Sequence, residues 1–383
     1  MSDQRFQYLA NQVARYSLHL SPGEKVLIEA CSQAADFTAM LVRAVRATGA
    51  IPLVELKDSR VDRAFILSAT EEGMQLWLDC ETARMERMDA YVAIRGQDNL
   101  NELSDIPVEQ MNLYSRYHGM LHYGHRVPNT KWCVLRYPND SMAQQANMST
   151  EAFMDFYFNT CCLDYQRLNE LVTPLRTRLS RADQIHLTAP GTDLTFSIKG
   201  LCLPKSTCGT WNVPCGETGM PIVQGSANGV ITYNMPSLYQ GFLFRNIRLV
   251  LRDGVIVEAS ANDSARLNAI LDIDPGARRI GEFALGFNPY VTRPIFDTLF
   301  DEKMRMSLHF TPGNSKNNPS SIHWDLVTSH AAEHGGGEVW VDGELIRKDG
   351  LFIPDDLRPL NPDDLLKEIA PPAGLFRGEG GYL

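Results

Sequence analysis

The spacing of apolar residues changes character partway along the chain, and that change limits the fold more than any single motif does. Up to about residue 182, amphipathic helical patterns alternate with short β-branched runs, the pattern of βα units around a largely parallel sheet. Strands are expected at Val26–Ala30, Pro52–Leu56, Tyr91–Arg95 and Trp132–Tyr137, with helices over roughly Asp3–Leu18 and Ala34–Thr48. A helical stretch from about Thr150 to Leu179 carries one breaker, Pro174, and is expected to close this domain with a kink there. From Asp183 onward, Gly, Pro and turn signals separate short strands: Gln184–Thr188, Leu194–Ile198, Val230–Asn234, Ile247–Leu251, Val255–Ala259, and a hairpin through Val339–Ile346 turned by Asp342-Gly343. The expected architecture is α/β: an N-terminal βα domain, residues 1–182, and a β-rich α+β C-terminal domain, residues 183–383.

Charge and cysteine content narrow the setting. The 46 acidic against 36 basic residues leave a formal charge of −10, a field that repels nucleic acid and anionic lipid. No run of about 18 apolar residues is present to span a membrane. Met1–Gln7 is polar where a secretory signal would be apolar, so a cytoplasmic protein is expected. Eight cysteines are too sparse for a disulfide scaffold. Cys161 and Cys162 lie in an apolar pattern, and Cys202, Cys208 and Cys215 match no zinc or redox spacing, so all are read as reduced packing residues.

Several common site motifs are missing. The first expected strand is followed by Cys31-Ser-Gln-Ala-Ala-Asp36 and not by a Gly-rich phosphate loop, so no nicotinamide or flavin cofactor is expected. His330-Ala-Ala-Glu-His334 formally matches a zinc string but runs directly into Gly335–Gly337, which leaves little helix to carry it; a solvated loop is expected.

The chemistry concentrates between residues 209 and 325. A stiff turn, Asn212-Val-Pro-Cys-Gly-Glu217, ends in a carboxylate. Glu282 sits in Gly281-Glu-Phe-Ala-Leu-Gly286, and Asp301-Glu302 precedes His309. In Ser321-Ile-His-Trp-Asp325 an extended backbone would turn His323 and Asp325 to one face. Glu217, Glu282, Glu302 and Asp325 with His309 and His323 make four carboxylates and two imidazoles. Four clustered negative charges are unfavourable without cations, and two divalent ions would balance them. Mixed nitrogen and oxygen donors suit zinc, manganese or cobalt.

These segments resemble the metallo-aminopeptidase family of aminopeptidase T and aminopeptidase S. The likeness runs through Ser141–Ser149, Phe153–Phe156, Gly191–Phe196, Asn212–Glu217, Gly281-Glu282, Thr298–Glu302, Ser321–Asp325 and Val341–Gly343, in order and at similar spacing. The resemblance implies a two-metal exopeptidase, usually a homodimer, acting on peptides with a free N-terminus. It carries the metal-ligand roles onto Glu217, Glu282, Glu302, His309, His323 and Asp325, with Glu282 as the bridging ligand. Under this reading Glu217 is the first candidate for the proton shuttle and Glu282 the second.

Two features depart from the family pattern. The text after His309 is Phe-Thr-Pro-Gly-Asn-Ser-Lys316, so no tyrosine stands at the seventh position, where the family places a transition-state donor. Lys316 is the candidate replacement. The segment from His309 to His323 is also short for the family. Two other readings follow: a mononuclear Fe(II) ring-cleaving dioxygenase using His309, His323 and Asp325, or an impaired paralogue that binds amides or peptides without cleaving them.

Overall fold

The computed structural model describes residues 3–201, 205–206 and 208–371. The chain divides into two compact units. The first comprises the chain through Cys162 and the segment Gly209–Pro214, and the second comprises Leu163–Cys208 and Cys215–Ala370; the expected boundary near residue 182 lies later. The division differs because the stretch Thr150–Leu179 is two helices, Thr150–Cys161 and Tyr165–Arg181. Asp164 caps the second by accepting from the Arg167 N–H at 2.9 Å, so the break falls there and Pro174 lies inside the helix. That helix belongs to the second unit, where Arg167 pairs with Glu368 at 2.7 Å.

In the first unit the parallel strands are β1 (Lys25–Cys31), β2 (Ile51–Lys57), β3 (Ala90–Arg95) and β4 (Lys131–Arg136). They run in the order β2-β1-β3-β4, with the two-residue strand Asn212–Val213 beyond β4. β1 and β3 are buried on both faces, as their continuous apolar runs require. β2 is an edge strand, and Ile51, Leu53, Val54 and Leu56 on it are exposed.

The second unit is built on two antiparallel sheets. The larger has eight strands and contains the expected ones, including the hairpin of Glu338–Val341 with Glu344–Lys348. The smaller carries the chemistry: β5 (Glu217–Met220), β6 (Ile280–Gly286), β7 (Ser307–Ser315) and β8 (Asn318–His323). Its neighbours run β8-β7-β6-β5, and Lys205–Ser206 pairs outside β5. One face of the smaller sheet is apolar core. Phe283 and Phe310 pack on Phe196 of the larger sheet at ring separations of 5.1 and 5.0 Å. The buried Tyr233 hydroxyl donates to the Phe310 carbonyl at 2.8 Å. Fully buried Arg347 ties the sheets together by donating to the carbonyls of Gly350, Ser307 and Gly286.

The solvated loop expected at His330-Ala-Ala-Glu-His334 is found for its second part: Ala332–His334 form a short exposed turn, while His330 and Ala331 are buried. His330 is buried, with its backbone N–H bonded to Met306 and its ring packed so closely on Gly337 that a Cβ there would meet it at 2.7 Å. His334 Nδ1 instead contacts the Ser329 hydroxyl at 2.9 Å, so the two rings serve separate packing roles. Of the seven described cysteines Cys80 alone is exposed and the other six are buried; Cys202 lies outside the described residues. No described helix is long and apolar enough to cross a membrane.

Candidate metal centre

The antiparallel register selects which side chains share the non-core face of the smaller sheet. Glu217 of β5 lies opposite Gly286 of β6, which lies opposite Ser307 of β7. Gly219, Ala284 and His309 form the next row, and Glu282 faces Thr311. Directly opposed residues project to one face. Glu217, Glu282 and His309 therefore surround a patch floored by Gly219, Ala284 and Gly286.

The small residues are needed for close approach. A Cβ at Gly219 would fall 2.3 Å from Glu282 Oε1. A Cβ at Gly286 would fall 2.5 Å from the Met304 carbonyl and 3.0 Å from that of Glu302, so the segment bearing Glu302 lies directly over Gly286. That segment starts as a short helix, Thr298–Asp301, capped by Asp297. Asp301 accepts the N–H groups of Ile295 at 2.7 Å and Phe296 at 3.0 Å, which leaves Glu302 as the carboxylate of this pair that reaches the cluster.

His323 and Asp325 arrive from the end of β8. Between them, buried Trp324 stacks on Tyr239 at 4.4 Å and donates to the Ser237 hydroxyl, so both neighbours turn to the opposite side. Asp274 anchors the start of this segment, accepting from the Ser321 N–H at 2.8 Å and the Ser320 hydroxyl at 2.9 Å. His323 Nδ1 lies 2.8 Å from the Asn314 carbonyl, which makes it the protonated nitrogen and leaves Nε2 toward the site. Nε2 is 3.1 Å from Asp325 Oδ1 and 3.9 Å from Glu282 Oε2. Thr311 donates to Asp325 Oδ1 at 2.7 Å.

All six expected residues thus come together. His309 Nδ1 is 3.8 Å from Glu217 Oε2, and Glu302 shares a hydrogen bond with Asp325. Ligand atoms of Glu217, Glu302 and His309 lie within 4.8 Å of one another, and all three residues are buried. His309 Nδ1 is buried with no hydrogen-bond partner. A buried acceptor beside two carboxylates fits a divalent cation better than it fits a packed core. The electrostatics show the same crowding. Burial pushes Glu302 well up from the ordinary carboxylate range, with Lys303 opposing it, and burial likewise raises Glu282 against the pull of His309 and His323. The Asp325 carboxylate, outweighing burial, holds His323 well above the usual imidazole range.

One expectation is redirected. Lys316 stands exposed in the tight turn between β7 and β8 and makes no hydrogen bond or ion pair with the six residues. The lysine in contact with them is Lys303, which is fully buried. Its Nζ donates to Glu217 Oε1 at 2.7 Å and to Glu302 Oε1. A sequence marks a lysine next to Glu302 but cannot show that it points inward, since most lysines are solvated. The turn accounts for the short segment between His309 and His323: Ser315 pairs with Asn318, so Lys316 and Asn317 alone connect the strands.

Comparison with known proteins gives the family. Residues 2–352 match the model of the thermophilic metalloprotease (M29) family. The chain is 25% identical to "Aminopeptidase T" of Thermus thermophilus, over 90% of this chain and 95% of that protein. It is 23% identical to "Aminopeptidase PepS" of Streptococcus thermophilus, over 88% and 93% respectively. The solved structure of wild-type AmpT from Thermus thermophilus superposes with a TM-score of 0.75 at 23% identity, covering 92% of this chain and 99% of that one, which shows a shared fold. The chain belongs to the thermophilic metalloprotease (M29) family.

Proposed function

We propose that this protein is a metal-dependent aminopeptidase that hydrolyses the N-terminal peptide bond of peptides with a free α-amino group. The observation that carries the reading is the gathering of Glu217, Glu282, Glu302, His309, His323 and Asp325 at one side of a single sheet. These residues sort into a Glu217, Glu302 and His309 group and a Glu282, His323 and Asp325 group, the donor set for a pair of ions such as zinc, cobalt or manganese. Bound metal would polarise the scissile carbonyl and lower the pKa of an attached water.

The chain's own residues supply the rest. His323 is oriented by Asn314 and Asp325 by Thr311, so their donor atoms are set before any ligand enters. The acidic cluster attracts a cationic substrate end. For the proton shuttle Glu282 is better placed than Glu217: its side chain is 31% exposed, against 8% for Glu217, whose Oε1 is occupied by Lys303. The sparse cysteine content, eight in 383 residues, supports a reducing, cytoplasmic setting. The exposed apolar residues of edge strand β2 support a homodimer, because such an edge is normally covered.

Metal analysis of the purified protein with a panel of aminoacyl-anilides tests the reading. Bound zinc, cobalt or manganese with amide cleavage, abolished in Glu282→Gln, is expected. One iron per chain with oxygen-dependent turnover and no amide cleavage would replace it with the dioxygenase reading.

A further inference from the structure

Lys303 is a lysine buried inside the cluster. Its side chain is entirely buried, and its Nζ lies between Glu217 Oε1, at 2.7 Å, and Glu302 Oε1. Those two carboxylates belong to the same group, with His309, whose donor atoms lie close enough to share one ion. An ammonium bonded to both spends one oxygen of each and brings positive charge to the place where a divalent ion would otherwise neutralise them. The backbone holds the lysine there. The Lys303 carbonyl accepts the Asn288 N–H at 2.9 Å, the Lys303 N–H donates to Phe300 at 2.9 Å, and the following Met304 carbonyl lies against Gly286. Withdrawal would leave two buried carboxylates facing each other without a counter-charge.

Among the described residues, no lysine or arginine is in close contact with the second group. His323 Nε2 reaches Asp325 at 3.1 Å and Glu282 at 3.9 Å, and the side chains of His323 and Glu282 are 35% and 31% exposed, open to an ion from solvent. Its orienting partners, Asn314 and Thr311, are neutral.

We propose that Lys303 takes the place of one of the two metal ions, so that this chain holds a single divalent ion at Glu282, His323 and Asp325 while Glu217 and Glu302 are neutralised by the lysine ammonium. The proposal rests on the metal-centre reading above and narrows it. The three-residue group with His309 persists as a latent second site, closed by the lysine.

The test is metal stoichiometry on the full-length chain. Protein stripped with a chelator is titrated with Co²⁺ or Zn²⁺, freed of excess metal by gel filtration and assayed for bound ions, with circular dichroism to verify folding. One ion per wild-type chain and two per Lys303→Asn chain are expected, the second at the freed Glu217, Glu302 and His309. Two ions per wild-type chain would overturn the proposal without needing any variant, and so would a folded Lys303→Asn chain that still binds one. A folded Lys303→Asn chain that binds none would likewise overturn the proposal, whereas failure of the wild-type chain to bind any ion would overturn the metal-centre reading itself. Lys303→Arg, which keeps the charge, should remain at one ion if it folds.

Discussion

Gly219 and Glu282 approach so closely that no side chain fits between them: a Cβ at Gly219 would lie 2.3 Å from Glu282 Oε1 and 2.7 Å from Ala284 Cβ. The glycine leaves room for Glu282 Oε1 beside β5, while Oε2 lies 3.9 Å from His323 Nε2. Gly219→Ala must therefore push Glu282 aside or bend β5. Metal affinity and catalytic efficiency should each fall roughly tenfold or more, the scale typical of disturbed support around a metal ligand. Isothermal titration with metal and kinetics on an aminoacyl-anilide check this. Unchanged values for both would show that Glu282 does not depend on this contact.

Arg347 joins the two sheets of the second unit through three carbonyls and lies over the Phe352 ring at 5.1 Å. Replacing it with Met keeps much of the volume but strands carbonyls in the interior. A loss of about 3 kcal/mol in unfolding free energy is expected, given that hydrogen bonds to charged groups contribute roughly 1.5–3 kcal/mol each and part is recovered by relaxation. Urea denaturation measures it, and a change under about 0.5 kcal/mol would show that water replaces the guanidinium.

In the first unit, burial lowers His118 and His122 to about 4, with Arg95 and Arg126 adding to the effect. An unfolded histidine titrates near 6.5, so between these values the unfolded chain binds more protons than the native one. Stability contributed by the neutral rings is present above about pH 6.5 and drains away as pH falls toward 4. Melting curves at pH 7 and pH 5 should show a larger drop for wild type than for a His118→Gln, His122→Gln double variant. Equal drops would mean that the rings are protonated in the native state.

Ile51, Leu53, Val54 and Leu56 are between 42% and 51% exposed on an edge strand. A homodimer that covers this strand predicts that Leu53→Lys shifts the protein to a monomer in sedimentation velocity without changing its far-UV spectrum. A wild-type protein that sediments as a monomer at micromolar concentration would remove the edge as a dimer surface.

Much of this protein was legible in its amino-acid order. The four parallel strands appear where β-branched runs predict them, and for β1 and β3, buried on both faces, a continuous apolar run is required. The Asp-Gly hairpin and the helix caps are likewise local. The six ligand types could be listed, since carboxylates and imidazoles in stiff, Gly-bounded turns are costly without a use. Three things were decided elsewhere. Whether Asp301 or Glu302 faces the site depends on which of them the Ile295 and Phe296 N–H groups capture. Whether Lys303 or Lys316 serves the cluster depends on a segment folding over Gly286, more than 80 residues from Glu217 in distance along the Lys303–Glu217 pair. The meeting of the candidate ligands requires the register of β5, β6 and β7, set by long-range pairing. By itself, then, the sequence determined the elements and the chemical inventory. Only the tertiary structure decided which charges meet, because burial and electrostatic pairing depend on distances that residues far apart in the chain acquire through packing.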